Sequence, residues 1–109
     1  MLIWSCALHC EAKPVIDHYR LKKAHAERAF DVYQNQLTAC VVSGIGGINM
    51  AAATAWAAAH FNHASPACWI NLGVGGHLYL PAGELVVAAQ ITQAGYAHAI
   101  YPVSRLRHR

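Results

Sequence analysis

The chain has few charged residues, which make up only 12% of the sequence, whereas hydrophobic residues make up 56%. This balance excludes an intrinsically disordered chain and a nucleic-acid-coating protein. The basic residues fall mainly in residues 18–28 and 105–109, and the net charge is only +3 with the histidines neutral. Because no aromatic interleaving or nucleic-acid motif accompanies them, we interpret them as a solvated helix face and a tail, and predict no nucleic-acid partner.

Long apolar runs are absent as well. No run reaches the roughly 18–20 residues needed to span a bilayer, so we predict no membrane partner. The N-terminus has no positively charged region before its apolar residues, and therefore does not match a secretory signal peptide. These absences favour a cytoplasmic protein.

The four cysteines lack the spacing of a disulfide framework or a paired metal site. We expect all four to be free thiols in a reducing compartment. Cys10 lies outside any predicted strand. The other three fall inside predicted strands, where a thiol behaves as a small buried hydrophobic side chain: Cys6, Cys40 and Cys68.

Familiar cofactor motifs are incomplete. Asn49 stands where a dinucleotide fingerprint requires its last glycine, and no acidic residue follows at the required distance. No Lys-Ser or Lys-Thr pair follows either glycine-rich turn, which argues against a phosphate-binding P-loop. His60 with His63, and His9 with a neighbouring cysteine, lack the spacing of a structural zinc site. We therefore predict no cofactor and no metal.

The sequence does contain two apolar segments that each lead into a glycine-rich turn. Residues 37–42 lead into the turn at 43–47, which an alanine-rich segment follows. Residues 67–71 lead into a second turn at 73–76. Because open α/β sheets form ligand crevices where such strands end, the pattern predicts a small-molecule site.

The hydrophobic pattern predicts an α/β fold in one domain over residues 1–109. A wholly apolar first segment is typical of a central parallel strand, and alternation over residues 30–34 predicts a hairpin with the strand that follows. The pattern predicts strands over residues 1–8, 30–34, 37–42, 67–71 and 84–91, and helices over residues 11–23 and 47–61.

Glu11 stands just past the carboxyl end of the first predicted strand, where the site of an α/β protein opens. A carboxylate in this position is suited to act on a ligand. It is equally typical of a helix N-terminus, where the helix dipole stabilises negative charge. Position alone leaves both interpretations open.

Four segments resemble the N-terminal half of the purine nucleoside phosphorylase and uridine phosphorylase superfamily, in order and in spacing: residues 7–11, 42–53, 70–78 and 83–87. They are most similar to the branch of 5′-methylthioadenosine/S-adenosylhomocysteine nucleosidases and related hydrolases. The resemblance covers most of the chain and implies a phosphorylase-like mixed sheet flanked by helices. It also implies an incomplete single domain, from which the C-terminal half of that fold is absent.

The resemblance implies a role for the residues at the strand ends. Glu11 matches the family glutamate that helps to hold the attacking water beside the ribose. On the ribose or phosphate side, the implied substrate-binding residues are Ser43, Gly44, Ile45 and Gly46. On the base and sugar side, they are Gly73, Val74, Gly75 and Gly76. Two residues depart from the family pattern, since Val74 replaces a serine and His77 replaces a glycine, and both changes weaken the match to ordinary substrate binding.

The resemblance also implies a reaction and a partner. Phosphorylases of the family hold phosphate with arginines, and none occurs in residues 1–19 or 43–101, so we expect a purine nucleoside to be hydrolysed rather than phosphorolysed. The family's general-acid aspartate and its ribose-gripping Met-Glu pair belong to the C-terminal half, so this chain alone is expected to be inactive. The high apolar content predicts a homo-oligomer. The alternatives are a non-catalytic nucleoside-binding or self-associating module, and a gene fragment.

Overall fold

The structure, a computed structural model, describes residues 1–24, 28–61, 66–95 and 100–102. The chain divides into two units, Met1–Gly75 and Gly76–Arg109, each with its own internal contacts. The interpretation of residues 1–109 as one partial domain stays a prediction.

The first unit is a mixed five-stranded sheet with two helices among its described residues. Its elements are β1 (Leu2–Cys6), α1 (His9–Tyr19), β2 (Lys22–Lys23), β3 (Asp31–Gln34), β4 (Thr38–Val42), α2 (Gly47–His60) and β5 (Cys68–Asn71). The strand order is β2-β3-β4-β1-β5. The α/β class, the mixed sheet and the flanking helices are therefore confirmed.

The strand β1 occupies the centre of the parallel part of the sheet. It pairs in parallel with β4 on one side and with β5 on the other. The strand β3 is antiparallel to β4, which confirms the predicted hairpin. Because β1, β4 and β5 run in one direction, their carboxyl ends meet at one edge of the sheet, as a ligand crevice requires.

Two apolar clusters form the core, one for each helix. The first cluster joins strand residues to α2: Ile3, Val32, Ala39, Val41, Ala53, Ala57 and Phe61. The second cluster joins strand residues to α1 and the segment that follows it: Cys6, Ala12, Val15, Leu21, Cys40 and Val42. Neighbouring residues of β4 alternate between the clusters, so the helices pack on opposite faces of the sheet.

The helix α1 ends four residues earlier than the predicted boundary at residue 23. Arg20 adopts a left-handed conformation with φ of 54°, and its amide donates to the carbonyl oxygens of Asp17 and Ile16. This geometry is a common way for a helix to end. The next residues, Lys22 and Lys23, then pair with β3 and form β2 instead of a further helical turn.

The strand β5 lies at an edge of the sheet, and this position corrects one prediction. Cys6 and Cys40 are fully buried, as expected for thiols in interior strands. Cys68 is exposed because β5 pairs only with β1 among the described strands, and the expected burial of this thiol is wrong. Trp69, the next residue of β5, is also partly exposed.

The second unit contains a short antiparallel pair, β6 (Gln90–Thr92) and β7 (Ile100–Pro102). The predicted buried strand over residues 84–91 is wrong, because only its last two residues enter β6. Leu85, Val86 and Val87 are all exposed. An apolar strand of this kind requires neighbours on both sides and cover on both faces, and the described residues provide neither for this segment.

No helix in the described part of the chain is long and apolar enough to cross a membrane.

Candidate functional site

Main-chain hydrogen bonds join the segments that follow the three parallel strands. The amide of Ser43 donates to the carbonyl oxygen of Cys6 at 2.9 Å, and that of Gly44 donates to Ala7 at 3.0 Å. On the other side of β1, the amide of Leu72 donates to the carbonyl oxygen of Ser5 at 3.0 Å. The first glycine-rich turn, the β1–α1 connection and the start of the second turn therefore lie side by side at one edge of the sheet.

Glu11 lies in the first turn of α1, and its carboxylate bridges two of these segments. Oε1 accepts a hydrogen bond from the amide of Leu8 at 3.1 Å, which caps the start of α1. Oε2 accepts a hydrogen bond from the amide of Val74 at 2.7 Å, 63 residues along the chain. Gly73, the residue before Val74, has little room for a side chain, because a Cβ atom at this position would lie 3.3 Å from Oε2 of Glu11. The structure thus brings Glu11 together with Gly73 and Val74.

The first glycine-rich turn has a backbone that requires glycine at two positions. Gly44 has φ of 87° and Gly46 has φ of 97°, values that L-residues rarely adopt. Ser43 is buried, and its hydroxyl donates to the carbonyl oxygen of Gly44 at 2.8 Å. The carbonyl oxygen of Cys6 is a second, more distant acceptor at 3.4 Å. This hydroxyl proton is therefore engaged by the main chain. Ile45, by contrast, presents its side chain to solvent.

A cleft of about 560 Å³ opens beside this turn. Its lining brings together polar and aromatic side chains from three parts of the chain: His9, Arg28, Phe30, Asp31, Ser43 and Asn49. Gly44 and Ile45 also line it, whereas Glu11 and the second turn do not. The volume lies within the range of small-molecule sites, about 300–1,000 Å³. The predicted site residues are thus divided between this cleft and the neighbouring carboxylate of Glu11.

Three ionisable residues of the cleft are not among the predicted site residues: His9, Arg28 and Asp31. The signal for Asp31 was present in the predicted hairpin. Because β3 is antiparallel to β4, Asp31 is opposite Val42, and the first residue of β3 lies where β4 ends. Arg28 reaches the cleft from the segment before β3, which has no periodicity of its own.

The two remaining predicted residues are Gly75 and Gly76, on either side of the boundary between the units. Gly75 is exposed at the end of the first unit, and Gly76 is the first residue of the second unit. No side chain of the described residues would meet a Cβ atom at either glycine. Glycine is therefore not required for packing at these two positions.

Two buried thiols, Cys6 and Cys40, belong to the same core cluster, and Cys6 also lies close enough to Glu11 to feel its negative charge. The Cys40 thiol donates a hydrogen bond to the Cys6 sulfur, and this bond and burial both raise the pKa of Cys40. Accepting that bond lowers the pKa of Cys6, against the opposing effects of burial and of the negative charge of Glu11. Because both thiols are buried in the core, we assign them a packing role.

Among the described residues, no three His, Cys, Asp or Glu side chains are arranged to hold a metal ion. Comparison of the chain with protein-family models, with curated proteins and with solved structures finds no match. The resemblance to nucleoside phosphorylases and nucleosidases therefore stays a prediction.

Proposed function

We propose that the chain forms part of a purine nucleoside site of the nucleosidase type, in which Glu11 helps to hold the water that attacks the sugar. The observation that supports this proposal is the position of the Glu11 carboxylate, between the end of β1 and the turn that follows β5. A phosphorylase-like fold, with this sheet as its N-terminal half, is part of the same proposal.

The hydrogen bonds of Glu11 are compatible with this role. Hydrolysis of an N-glycosidic bond passes through an oxocarbenium-like sugar, which a fixed negative charge and an oriented water stabilise. The carboxylate has about four lone-pair positions. The amides of Leu8 and Val74 occupy one on each oxygen, so the remaining lone pairs are free to orient a water molecule. The main-chain bonds would hold the carboxylate still while it does so.

Hydrolysis fits the neighbouring cleft better than phosphorolysis does. Arg28 is the only arginine among the described residues that line the cleft, and its guanidinium hydrogen-bonds to His60. The carboxylate of Asp31 lines the same cleft and would repel a phosphate dianion. We therefore expect inorganic phosphate to change neither nucleoside binding nor base release.

The test is the binding of a cationic iminoribitol analogue of the oxocarbenium-like sugar by the full chain and by Glu11→Gln. Loss of the negative charge is expected to weaken binding of the analogue about tenfold, since charge-assisted hydrogen bonds are the strong ones. Binding of uncharged adenine should not change. Glu84→Gln removes the charge of an exposed glutamate in the second unit, and as the matched control it should bind like the parent chain. Equal affinity of Glu11→Gln and the parent for the analogue would contradict the proposal.

Turnover is a separate question from binding. No residue of this sequence matches the family's general-acid aspartate or its Met-Glu pair, so we expect the chain alone to release no adenine from 5′-methylthioadenosine above background. Release that depends on Glu11 would overturn this expectation of inactivity while supporting the role of the carboxylate.

A second candidate, a self-associating module, is favoured by the outer face of α2. Ile48 is 88% exposed, and the alanines of this face are exposed as well. The sequence contains no Asp, Glu, Lys or Arg between Asp31 and Glu84, so α2 has no charged residue. An apolar helix face of this kind is usually covered in proteins. Sedimentation over a range of concentrations tests this candidate, and a monomer at every concentration would exclude it.

A further inference from the structure

The cleft beside the first glycine-rich turn contains an acid–imidazole pair to which the sequence prediction assigns no role. His9 is the first residue of α1, and Asp31 is the first residue of β3. Nε2 of His9 lies 2.9 Å from Oδ2 of Asp31. Both side chains line the cleft, and both retain substantial exposure, 59% for His9 and 43% for Asp31.

Neighbouring groups fix the orientation of this pair. Nζ of Lys23 lies 3.7 Å from the second carboxylate oxygen of Asp31, so each oxygen of Asp31 faces a different partner. The ring of Tyr33 meets the imidazole of His9 edge to face, with ring centroids 6.2 Å apart. The imidazole and the carboxylate are therefore held in one arrangement at the wall of the cleft.

The contact with Asp31 determines which nitrogen of His9 faces a ligand. An ionised carboxylate only accepts hydrogen bonds, so Nε2 of His9 must donate to it. In the neutral imidazole, Nδ1 then carries the lone pair. No hydrogen bond joins Nδ1 to any residue that the structure describes. At this exposed position, Nδ1 is thus an acceptor that water or a ligand in the cleft can use.

The polar groups of the cleft are mixed in sign and in hydrogen-bonding character. Nδ1 of His9 and the carboxylate of Asp31 accept hydrogen bonds, and the guanidinium of Arg28 donates them. An anion would meet the negative charge of Asp31, and a cation would meet the positive charge of Arg28. A hydroxyl group, in contrast, donates and accepts at the same atom. The mixture therefore suits an uncharged group that carries several hydroxyls.

We propose that the His9–Asp31 pair binds sugar hydroxyl groups in the cleft beside Ser43. This inference rests on the proposed function in one respect, namely that the sugar belongs to the nucleoside whose attacked carbon faces Glu11. The amide of Leu8 connects the two places, because Leu8 lines the cleft and its amide donates to the Glu11 carboxylate.

The test compares ligands with and without the hydroxyls, by calorimetry on the full chain. The probes are adenosine, 2′,3′-dideoxyadenosine and adenine. Each of His9→Ala and Asp31→Asn is expected to weaken adenosine binding about threefold to tenfold, the range of one hydrogen bond. Binding of 2′,3′-dideoxyadenosine and of adenine should change by less than about twofold. The matched control is the Lys13–Asp17 pair of α1, an exposed ion pair of the same 2.9 Å length, removed by Asp17→Asn.

A second measurement uses no nucleobase. Methyl β-ribofuranoside, added to the labelled full chain, is expected to shift the imidazole NMR signals of His9, with no such shift in Asp31→Asn. The thermal unfolding midpoint of each variant shows whether it is folded.

The outcomes separate this inference from the proposed function. The inference would be overturned if His9→Ala and Asp31→Asn lost equal affinity for adenosine and for 2′,3′-dideoxyadenosine, or if they bound adenosine like the parent chain. In either case, Glu11-dependent binding of the cationic analogue would leave the proposed function standing. If methyl β-ribofuranoside shifts the His9 imidazole signals but Glu11→Gln binds the cationic analogue like the parent chain, the hydroxyl site alone is supported. Absence of both adenosine binding and the ribofuranoside shift would overturn the inference.

Discussion

Glu11→Ala is expected to destabilise the first unit, because it removes the bridge between the start of α1 and the turn after β5. The bond from Leu8 is a helix cap, which contributes about 1 kcal/mol. The shorter bond from Val74, at 2.7 Å, is a charge-assisted bond of about 1.5 kcal/mol at this partly exposed position. The expected loss in the free energy of unfolding is therefore about 2.5 kcal/mol. Glu11→Gln keeps one acceptor oxygen and should lose roughly half of that.

Urea unfolding measures the total loss, and hydrogen exchange of single amides assigns it. The amides of Leu8 and Val74 should exchange faster in Glu11→Ala, since each loses its acceptor. In Glu11→Gln, one of the two should keep its protection. Glu84→Ala removes an exposed glutamate and is expected to change stability by less than about 0.5 kcal/mol.

The reasoning would be refuted if the Val74 amide exchanged at the same rate in the parent chain and in Glu11→Ala. That result would mean that the carboxylate does not hold the second turn in solution. The structural basis for placing Glu11 and this turn in one site would then be lost, whatever the total change in stability.

Further expectations concern the turn, the thiols and the core. Gly44→Ala should destabilise the first unit by about 1 kcal/mol, because φ of 87° is unfavourable for alanine, whereas Gly75→Ala should have little effect in the same urea assay. Titration with a thiol reagent should modify two cysteines in the native protein and all four after unfolding, because Cys6 and Cys40 are fully buried; rapid modification of four native thiols would contradict this. Ile3→Ala should cost about 3 kcal/mol by leaving a cavity between β1 and α2, and a loss below about 1 kcal/mol would contradict the packing.

The parallel part of the sheet could be predicted because its signals are local. An apolar first segment, and an apolar segment before each glycine-rich turn, indicate strands that are covered on both faces. Their shared direction then places residues 7–11, 43–46 and 72–74 at one edge, as the main-chain hydrogen bonds confirm. The resemblance to a nucleosidase contributed roles for these residues, and those roles stay predictions.

Other features were out of reach because they depend on tertiary contacts. The helix α1 ends at Tyr19 because Arg20 is left-handed and because the next strand, β2, pairs with β3. The lysine-containing segment that forms β2 would also suit a helix, so its sequence alone does not show where α1 ends. The segment 84–91 has the composition of a buried strand, but composition cannot supply the neighbours that such a strand needs. The exposure of Cys68 follows from the edge position of β5, which no local pattern records.

The two interpretations of Glu11 that the sequence leaves open are compatible in the structure. As a helix N-terminal carboxylate it caps α1 through Leu8, and the same side chain reaches the second turn through Val74. A group that acts on a water must be held in one place, and two main-chain bonds to different segments provide that. Charge separates the roles experimentally, because the bonds to the amides need only acceptor oxygens, whereas stabilising a cationic sugar needs the negative charge. Glu11→Gln should therefore bind the cationic analogue about tenfold more weakly while its affinity for uncharged adenine stays the same, and equal weakening of both ligands would assign Glu11 to the fold alone.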